Sequence, residues 1–446
     1  MNRRTFLKCA SLAAGGSLVG LTPFGRLTAL AQGAQYQALV CLFLNGGNDS
    51  NNMVIPADNA TYGLYHNARQ TLAIPQDQLL PLKNLSFGFH PSMPELQALF
   101  NSSKVAIVAN VGTLTQPLTI EEARDDTSPK LPQCLESHPD QQAEWGAAST
   151  STGSTIGWGG AIADLMGDSY GSTRFPMVTS VAGLNVFAAG KSSSPFVYPS
   201  SSGQIWCVEG NICDERLQTA QQLLQIDSGI TLVQADNSLT SQMYSYIDVF
   251  SQAVAQAPRV KTVFPQTDLG TQLSQIAQIM QARNNLGAQK QIFFAQLQGF
   301  DTHGDQLGTH AGLLAQVSAA VNAFYTATVE MGIEDQVVLF TASDFNRALV
   351  PNYCTGSDHA WGGHQLVVGG GVKGGMYGTF PQLVCGGPDD ITTTGNGSTA
   401  TGRWRPTSSV SQYGATHASC LGVSNSDLNT IFPSLSNFSN ATLGFL

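Results

Sequence analysis

The sequence predicts an α/β protein, a three-layer sandwich in which helices cover a mostly parallel central sheet. Short continuous apolar runs alternate along the chain with segments of helical periodicity, which is typical of parallel strands buried on both faces. Helical patterns lie at 269–286 and 311–331, and a segment at 214–256 that is rich in Gln, Ala and Leu extends the first pattern into a helical insertion at about 214–286. The predicted strands lie at 37–44, 105–109, 291–295, 336–340 and 365–368.

The first 31 residues predict a cleavable export signal. Arg3 and Arg4 precede an apolar run at Cys9–Leu21, and Ala29-Leu30-Ala31 is a pattern that signal peptidases accept. The run is far shorter than the roughly 20 residues that cross a bilayer. The arginine pair directly before Phe-Leu-Lys favours the twin-arginine route over the general secretory one, with a chance pair in an ordinary signal as the alternative. We therefore expect cleavage near Ala31, the twin-arginine translocase as a transient partner, and a periplasmic or secreted domain at 32–446.

The expected mature domain is acidic. The signal holds four basic residues and no acid, so its removal takes the net charge from −10 to −14. This charge argues against nucleic acid or an anionic membrane surface as the main partner. No later apolar run is long enough to span a bilayer, so we expect a soluble domain without a stable membrane span.

The cysteine pattern argues against several kinds of site. Cys41 lies in an apolar run and is expected to be a buried free thiol, whereas Cys207 and Cys213 are the best disulfide candidates. There is no C-x-x-C pair, which argues against a zinc ribbon or a thioredoxin-type site. A redox protein is a further possibility for a twin-arginine passenger, but no dinucleotide, haem or iron–sulfur motif supports it.

Acids and histidines gather in loops next to the predicted strand ends. These loops lie at 45–50, 299–303, 341–347 and 356–364. In an α/β sheet the carboxyl ends of the strands meet at one edge, and converging carboxylates and imidazoles suit zinc or a harder ion such as manganese. Each loop alone also has an ordinary interpretation as a turn, a structural pair or a helix cap, so the prediction depends on the set.

Several motifs together are distinctive of one family. They lie at Leu44–Asp49, Phe89–Pro94, Val105–Gly112, Ser137–Gln142, Gly157–Gly160, Phe300–His303, Ser343–Arg347, Ser357–His364 and Gln412–Thr416. With them, nearly the whole chain resembles a family of twin-arginine-exported proteins, the domain of unknown function numbered 1501. That family belongs to the alkaline phosphatase-like superfamily of phosphatases, sulfatases and phosphopentomutases. The resemblance implies an alkaline phosphatase-like fold and a metal-dependent hydrolase site.

The resemblance also implies a set of metal ligands. Asp301, His303 and His359 match residues that bind a first divalent ion. His364 would be a further ligand, or would support one of the ligands without touching the ion. Asp49 and Asp344 match the aspartates of a second, weaker site. The implied ion is zinc, with manganese, calcium or magnesium as alternatives.

The chain departs from the superfamily pattern at three places. Phe345 follows Asp344 where the superfamily has a histidine, and the Asp301–His303 spacing is shorter than usual. The nucleophile has no clear counterpart. Ser137, before His138 and Pro139, is similar to a sulfatase nucleophile turn, with His138 as an acid/base or a capping neighbour.

Other roles stay open at this point. Ser137 as the N-cap of a helix that begins near Gln141 is the alternative to its role as nucleophile. Thr113 and Thr115, near the end of the second predicted strand, are the other nucleophile candidates. Arg347 could pair with the oxyanions of a substrate or form a surface salt bridge.

The sequence therefore supports two hypotheses about function. The first is an exported metal-dependent hydrolase of phosphate or sulfate esters, acting on a small-molecule or polysaccharide substrate. The second is an exported metal-binding but non-catalytic protein that acts as a binding or assembly partner. Phe345 and the missing nucleophile favour the second.

Overall fold

A nine-stranded, mostly parallel sheet forms the centre of the protein in a computed structural model that describes residues 36–150, 153–167, 175–198, 218–393 and 399–446. The export signal, its cleavage site and the Cys207–Cys213 pair lie outside the described residues. The strands in chain order are β1 (Gln37–Asn45), β2 (Val54–Pro56), β3 (Leu80–Pro81), β4 (Phe87–Phe89), β5 (Val105–Gly112), β6 (Val178–Ser180), β7 (Phe196–Val197), β8 (Lys290–Gln298), β9 (Val337–Ser343), β10 (Gly363–Val368), β11 (Gly375–Gly378) and β12 (Ser408–Ser409).

The order of strands in the main sheet is β11-β5-β10-β9-β1-β8-β6-β7, with β12 also paired to β5. Strand β1 pairs in parallel with β8 and with β9. Strand β10 is antiparallel to both β5 and β9. A small antiparallel sheet, β2-β4-β3, stands apart from the main one.

The five predicted strands correspond to β1, β5, β8, β9 and β10, and the α/β class is confirmed. The apolar run of β10 has the same composition as the runs of the parallel strands, yet β10 is antiparallel to both of its neighbours. A strand buried on both faces has the same composition in either direction, so the run could not reveal this. As a result, the amino end of β10 lies at the same sheet edge as the carboxyl ends of β1, β8 and β9.

Helices cover both faces of the sheet. They are α1 (Ser50–Met53), α2 (Asn59–Arg69), α3 (Pro94–Asn101), α4 (Ile120–Arg124), α5 (His138–Ala147), α6 (Trp158–Met166), α7 (Thr231–Gln256), α8 (Asp268–Gln281), α9 (Arg283–Leu286), α10 (Gln306–Glu330), α11 (Val410–Cys420) and α12 (Asn425–Ile431). On one face α3 and α8 pack against α10. On the other face α5, α6, α11 and α12 share a core with Leu39, Cys41 and Phe43 of β1.

Helices α7, α8 and α9 lie within the predicted insertion at 214–286, and α8 packs directly on β8. Cys41 is a buried free thiol, as expected. Within the described ranges, no helix has both the length and the apolar character needed to cross a membrane.

Candidate metal centre

Two glycines bring three loops together at the carboxyl edge of the sheet. Gly46 and Gly47 follow β1 with φ values of 112° and 82°, which favour glycine. A Cβ on Gly46 would collide with the backbone of Asp301, and a Cβ on Gly47 would collide with the ring of Phe345. The loops after β1, β8 and β9 can therefore approach each other closely only because these residues lack side chains.

Four side chains converge at this edge, and we call them the histidine cluster: His138, Asp301, His303 and His359. The Asp301 Oδ1 atom lies 3.5 Å from Nε2 of His138, 3.1 Å from Nε2 of His303 and 3.4 Å from Nε2 of His359. The Nε2 atoms of His303 and His359 are 2.9 Å apart. Ligand atoms of His138, Asp301 and His359 all lie within 4.8 Å of one another.

The imidazole of His138 is oriented by a buried carboxylate. Its Nδ1 lies 2.7 Å from Asp344 Oδ2, and Gln142 on the next turn of α5 donates to the same oxygen at 2.8 Å. The other oxygen of Asp344 accepts from the backbone N–H of Gly46 at 2.9 Å. Because a carboxylate can only accept, Nδ1 of His138 carries its proton and Nε2 presents a lone pair to the cluster.

The other two imidazoles have the same arrangement. Nδ1 of His303 lies 3.2 Å from Asp358 Oδ1, and Nδ1 of His359 lies 2.8 Å from the backbone oxygen of Glu136. Both partners are acceptors, so both rings present an Nε2 lone pair toward Asp301. Metal-binding histidines in proteins usually have such an acceptor behind them.

Burial and neighbouring charges shift the pKa values of the cluster residues in different directions. Burial alone would raise the pKa of Asp301, but the Arg347 guanidinium, whose Nη1 donates to Asp301 Oδ1 at 2.8 Å, lowers it overall. The hydrogen bond to Asp344 raises the pKa of His138. Burial lowers the pKa of His359, which favours the neutral form that binds metals.

These side chains fit a divalent cation. Three lone pairs and a carboxylate oxygen that face one another repel unless a cation or a shared proton lies among them. Among the described residues, the buried Nε2 of His138 has no hydrogen-bond partner. Three imidazoles and one carboxylate are a ligand set typical of zinc, and the exposed side of Asp301 and His303 leaves a path for entry.

The structure does not bring Asp49 and Asp344 together as a second metal pair. Asp49 is fully buried and forms an ion pair with Arg69, and Gln306 donates to the same carboxylate oxygen. Both oxygens of Asp344 already accept hydrogen bonds from protein groups. We call the buried residues around Asp49, which are Asn52, Arg69, Gln306 and Ser357, the Asp49–Arg69 network.

His364 also lies apart from the histidine cluster. It is fully buried, its Nδ1 accepts from the backbone N–H of Asn110 at 3.1 Å, and its ring stacks on Phe380 at 4.4 Å. Burial lowers the pKa of His364 to about 3, so the ring is neutral. These contacts, with β5 and with Phe380, are those of a packed histidine away from the cluster.

The structure corrects the position of Ser137. Helix α5 begins at His138, not near Gln141, and Ser137 is its N-cap residue. Pro139 lies in the first turn, where a proline costs no helix hydrogen bond. The Ser137 hydroxyl bonds to the Asp140 carboxylate, and it caps no backbone N–H among the described residues.

The remaining candidates have other contacts. Thr113 is buried and donates to Gln141 Oε1 at 2.7 Å, while Thr115 is only partly buried. Arg347 is not on the surface: it is buried, and besides Asp301 it donates to the backbone oxygens of Gly46 and Ser357. Its Nη1 and Nη2 atoms are therefore occupied by protein acceptors rather than presented to a substrate.

Sequence reasoning missed His138 as part of the cluster. The sequence indicates His138 as an acid/base or a capping neighbour of Ser137 rather than as a metal ligand, because it lies far along the chain from Asp301 and follows no predicted strand. The first turn of α5 brings its ring against Phe345, with centroids 4.8 Å apart. His138 thus supplies an imidazole beside Asp344 where Phe345 does not. The only signal was that His138 belongs to one of the motifs that carry the family resemblance.

Comparisons with known proteins give one family match and several distant structural likenesses. The family model described as "Protein of unknown function (DUF1501)" matches residues 211–391, which supports the resemblance. A search of curated protein sequences found no match.

Several solved structures resemble the chain. The sulfatase PsFucS1 from Pseudoalteromonas sp. is 8% identical, with 94% of this chain and 76% of that chain covered and a TM-score of 0.36. The lipoteichoic acid synthase LtaP from Listeria monocytogenes is 10% identical, with 91% and 76% covered and a TM-score of 0.36. The periplasmic domain of EcEptC from Escherichia coli, in complex with Zn, is 12% identical, with 76% and 74% covered and a TM-score of 0.30. At TM-scores this low, these likenesses carry no argument about the residues of this chain.

Proposed function

We propose that this protein is a metal-dependent hydrolase of phosphate or sulfate esters, with its ion held by His138, Asp301, His303 and His359. One observation carries the proposal: three imidazoles are each held at Nδ1 by an acceptor, and their Nε2 atoms surround one oxygen of Asp301. We take zinc as the ion, because this ligand set suits it best.

The chain's own residues would prepare the site for an anionic ester. When bound, a divalent ion polarises an ester oxygen and lowers the pKa of a nucleophile at its site. Asp344 and Gln142 fix the His138 ring, and Arg347 fixes Asp301. The buried guanidinium of Arg347 adds a positive charge beneath the cluster, which favours the binding of phosphate or sulfate.

Ser137 remains our candidate nucleophile. It directly precedes His138, and its hydroxyl bonds to Asp140, which would accept its proton. The Ser137 oxygen would form a bond to phosphorus or sulfur as the bond to the alcohol oxygen breaks, and the alcohol would leave with a proton. Water would then release phosphate or sulfate and restore the hydroxyl.

The non-catalytic binding protein remains the second candidate. It is favoured by the contacts of the hydroxyls: Ser137 is already bonded to Asp140, and Thr113 is buried against Gln141. A metal-binding protein needs no poised hydroxyl, and the same cluster would then serve binding alone.

A screen of esters on metal-loaded protein tests the proposal. The full chain, purified and loaded with zinc or manganese, should hydrolyse at least one of a panel of phosphate and sulfate esters, and a chelator should abolish the activity. The variant His303→Ala should lose the ion and the activity together. A protein that holds the ion but turns over no ester would favour the binding protein.

We also propose that the chain is exported by the twin-arginine route. The support is the Arg3-Arg4 pair before the apolar run and the small-residue pattern at 29–31. Replacing Arg3 and Arg4 with Lys together should leave uncleaved precursor in the cytoplasm. Normal export of that double variant would rule out the route.

A further inference from the structure

A cleft lies beside the histidine cluster and has no role in the function proposed so far. Its volume is 640 Å³, within the range of about 300–1,000 Å³ that is typical of small-molecule sites. The loop before α5 forms one wall, and Ile391, Thr392 and Arg403 form the other, with the backbone N–H of Arg403 donating to Asp390. The floor is aliphatic: Leu131, Leu135 and Ile391 line it and pack on the core around Trp361.

One residue joins the cleft to the cluster. The backbone oxygen of Glu136 accepts from His359, while the carboxylate of Glu136 lines the cleft and forms an ion pair with Arg403. His138 follows two residues later, and two residues of chain span at most about 7 Å. The cleft and the histidine cluster therefore lie against the same short segment of chain.

The polar groups of the cleft are the Glu136–Arg403 ion pair and several neutral hydrogen-bond donors and acceptors. The side chains of Glu136 and Arg403 are 40% and 24% exposed, so both can still contact a ligand. Among the described residues, the Nε of Arg403 has no hydrogen-bond partner. Ser128, Gln133 and Thr392 add hydroxyl and amide groups.

The charge of the cleft disfavours an anionic ligand. Asp126 and Glu136 line it, and Arg403, already paired with Glu136, is its one cation among the described lining residues. The cleft thus offers one ion pair together with neutral hydroxyl and amide groups. These groups suit an uncharged ligand that both donates and accepts hydrogen bonds. The aliphatic floor matches the C–H face of such a ligand.

We propose that this cleft binds an uncharged, polyhydroxylated group, a sugar unit, in the alcohol part of the ester whose anionic group lies at the histidine cluster. The part of this inference that concerns the ester rests on the proposed hydrolase function. The part that concerns the sugar rests on the cleft alone. The Glu136–Arg403 pair is the specificity determinant, because it is the polar group of the cleft closest along the chain to the cluster.

Binding of neutral sugars to the metal-loaded full chain tests the inference without any hydrolysis. Maltose, cellobiose and lactose are titrated by calorimetry and by NMR of the sugar, and at least one should bind saturably. Glu136→Gln and Arg403→Met should each weaken that binding about tenfold, since each removes one charge-assisted partner. The Glu136→Gln change keeps the backbone oxygen that supports His359. Arg403→Lys keeps the charge but loses the paired N–H donors of the guanidinium. Its affinity for the sugar should therefore lie between those of Arg403→Met and the parent.

A matched control lies on the same segment outside the cleft. Glu122 and Lys130 form a partly exposed ion pair, and Glu122→Gln and Lys130→Met should leave sugar binding unchanged. Thermal midpoints of all variants separate lost folding from lost binding. Tighter binding of glucuronic acid or of an aliphatic alcohol than of every neutral sugar would overturn the inference, as would sugar binding that the Glu136 and Arg403 variants leave intact. Sugar binding without hydrolysis of any sugar phosphate or sulfate would support the cleft and overturn the hydrolase.

Discussion

Two groups of polar side chains lie at the same edge of the sheet and differ in what their atoms meet. In the histidine cluster, the Nε2 atoms of three imidazoles face one another and the Asp301 carboxylate. Among the described residues, the guanidinium of Arg347 is the basic group that pairs with Asp301 there. In the Asp49–Arg69 network, a carboxylate meets a buried guanidinium, which also donates to Asn52 and to two backbone oxygens.

The difference separates an aspartate that has its counter-charge within the fold from one that is free to bind a metal ion. Asp49 and Asp301 both follow buried parallel strands, so the local sequence marks them equally. Arg69 already neutralises Asp49 within the core, whereas Asp301 is half exposed and lies among lone pairs. The Asp49–Arg69 network contains its own counter-charge, whereas the imidazole lone pairs of the histidine cluster leave room for a cation from solution.

The largest expected effect is on the metal. His138→Ala and His359→Ala should each weaken binding of a divalent ion by more than the 10–100-fold that loss of an outer partner typically costs, because each removes a ligand. Metal content and titration measure this, with about one tight ion expected per parent chain. His66→Ala, an exposed histidine on α2, is the control. Full metal content in both cluster variants would show that the cluster is not the site.

The Asp49–Arg69 network should respond in the opposite way. Asp49→Asn should leave metal content unchanged and lower the free energy of unfolding by about 3–5 kcal/mol, since it leaves a buried guanidinium without a counter-charge. Denaturant and thermal unfolding measure the loss. The double variant Asp49→Asn with Arg69→Met should recover part of it. Loss of a second equivalent of metal in Asp49→Asn would instead restore the two-metal site that the resemblance implies.

The sequence could predict the parts of this edge that depend on local patterns. Apolar runs located β1, β5, β8, β9 and β10, and the loop after β8 and the loop before β10 supplied Asp301, His303 and His359. It could not predict which aspartate would pair with a basic side chain, because Arg69 of α2 contacts Asp49 only through tertiary packing. It could not place His138 either, since the start of α5 meets the cluster only after that helix packs across β9.

The buried acid Glu144 sharpens the comparison, because no basic side chain among the described residues pairs with it. Glu144 on α5 accepts from Gln141, and burial raises its pKa to about 7 from the usual 4.5. The folded protein therefore holds a proton between pH 4.5 and 7 that the unfolded chain releases. Stability from this group is fully present below pH 4.5 and is lost as pH rises through 7.

Glu144→Gln should remove this dependence. The variant and the parent should unfold at similar temperatures near pH 4.5, and the variant should be more stable at pH 8 by an amount on the order of 3 kcal/mol. Thermal unfolding across that pH range measures the difference. An equal gain or loss at all pH values would mean that Glu144 is ionised in the folded protein.

The smallest expected effect on stability, and the sharpest test of chemistry, is at Ser137. An N-cap serine usually contributes about 1 kcal/mol through a bond to a backbone N–H. Here the hydroxyl bonds to the Asp140 side chain instead, so Ser137→Ala should change the free energy of unfolding by no more than about 0.5 kcal/mol. Metal content should stay that of the parent, because the hydroxyl is not part of the histidine cluster.

Ester hydrolysis in the same variant distinguishes the two proposed functions. If Ser137 is the nucleophile, Ser137→Ala should abolish turnover, and Asp140→Asn should slow it by about 10²–10⁴-fold through loss of the proton acceptor. Turnover that survives in Ser137→Ala would exclude the serine, and Thr113→Val would then be examined next. Thr113 is the weaker candidate because its hydroxyl is buried between Gln141 and the Trp361 indole, so a substrate could reach it only if α5 moved. Steady-state rates for all three variants, each at parental metal content, therefore separate a serine nucleophile from attack that needs no side-chain hydroxyl.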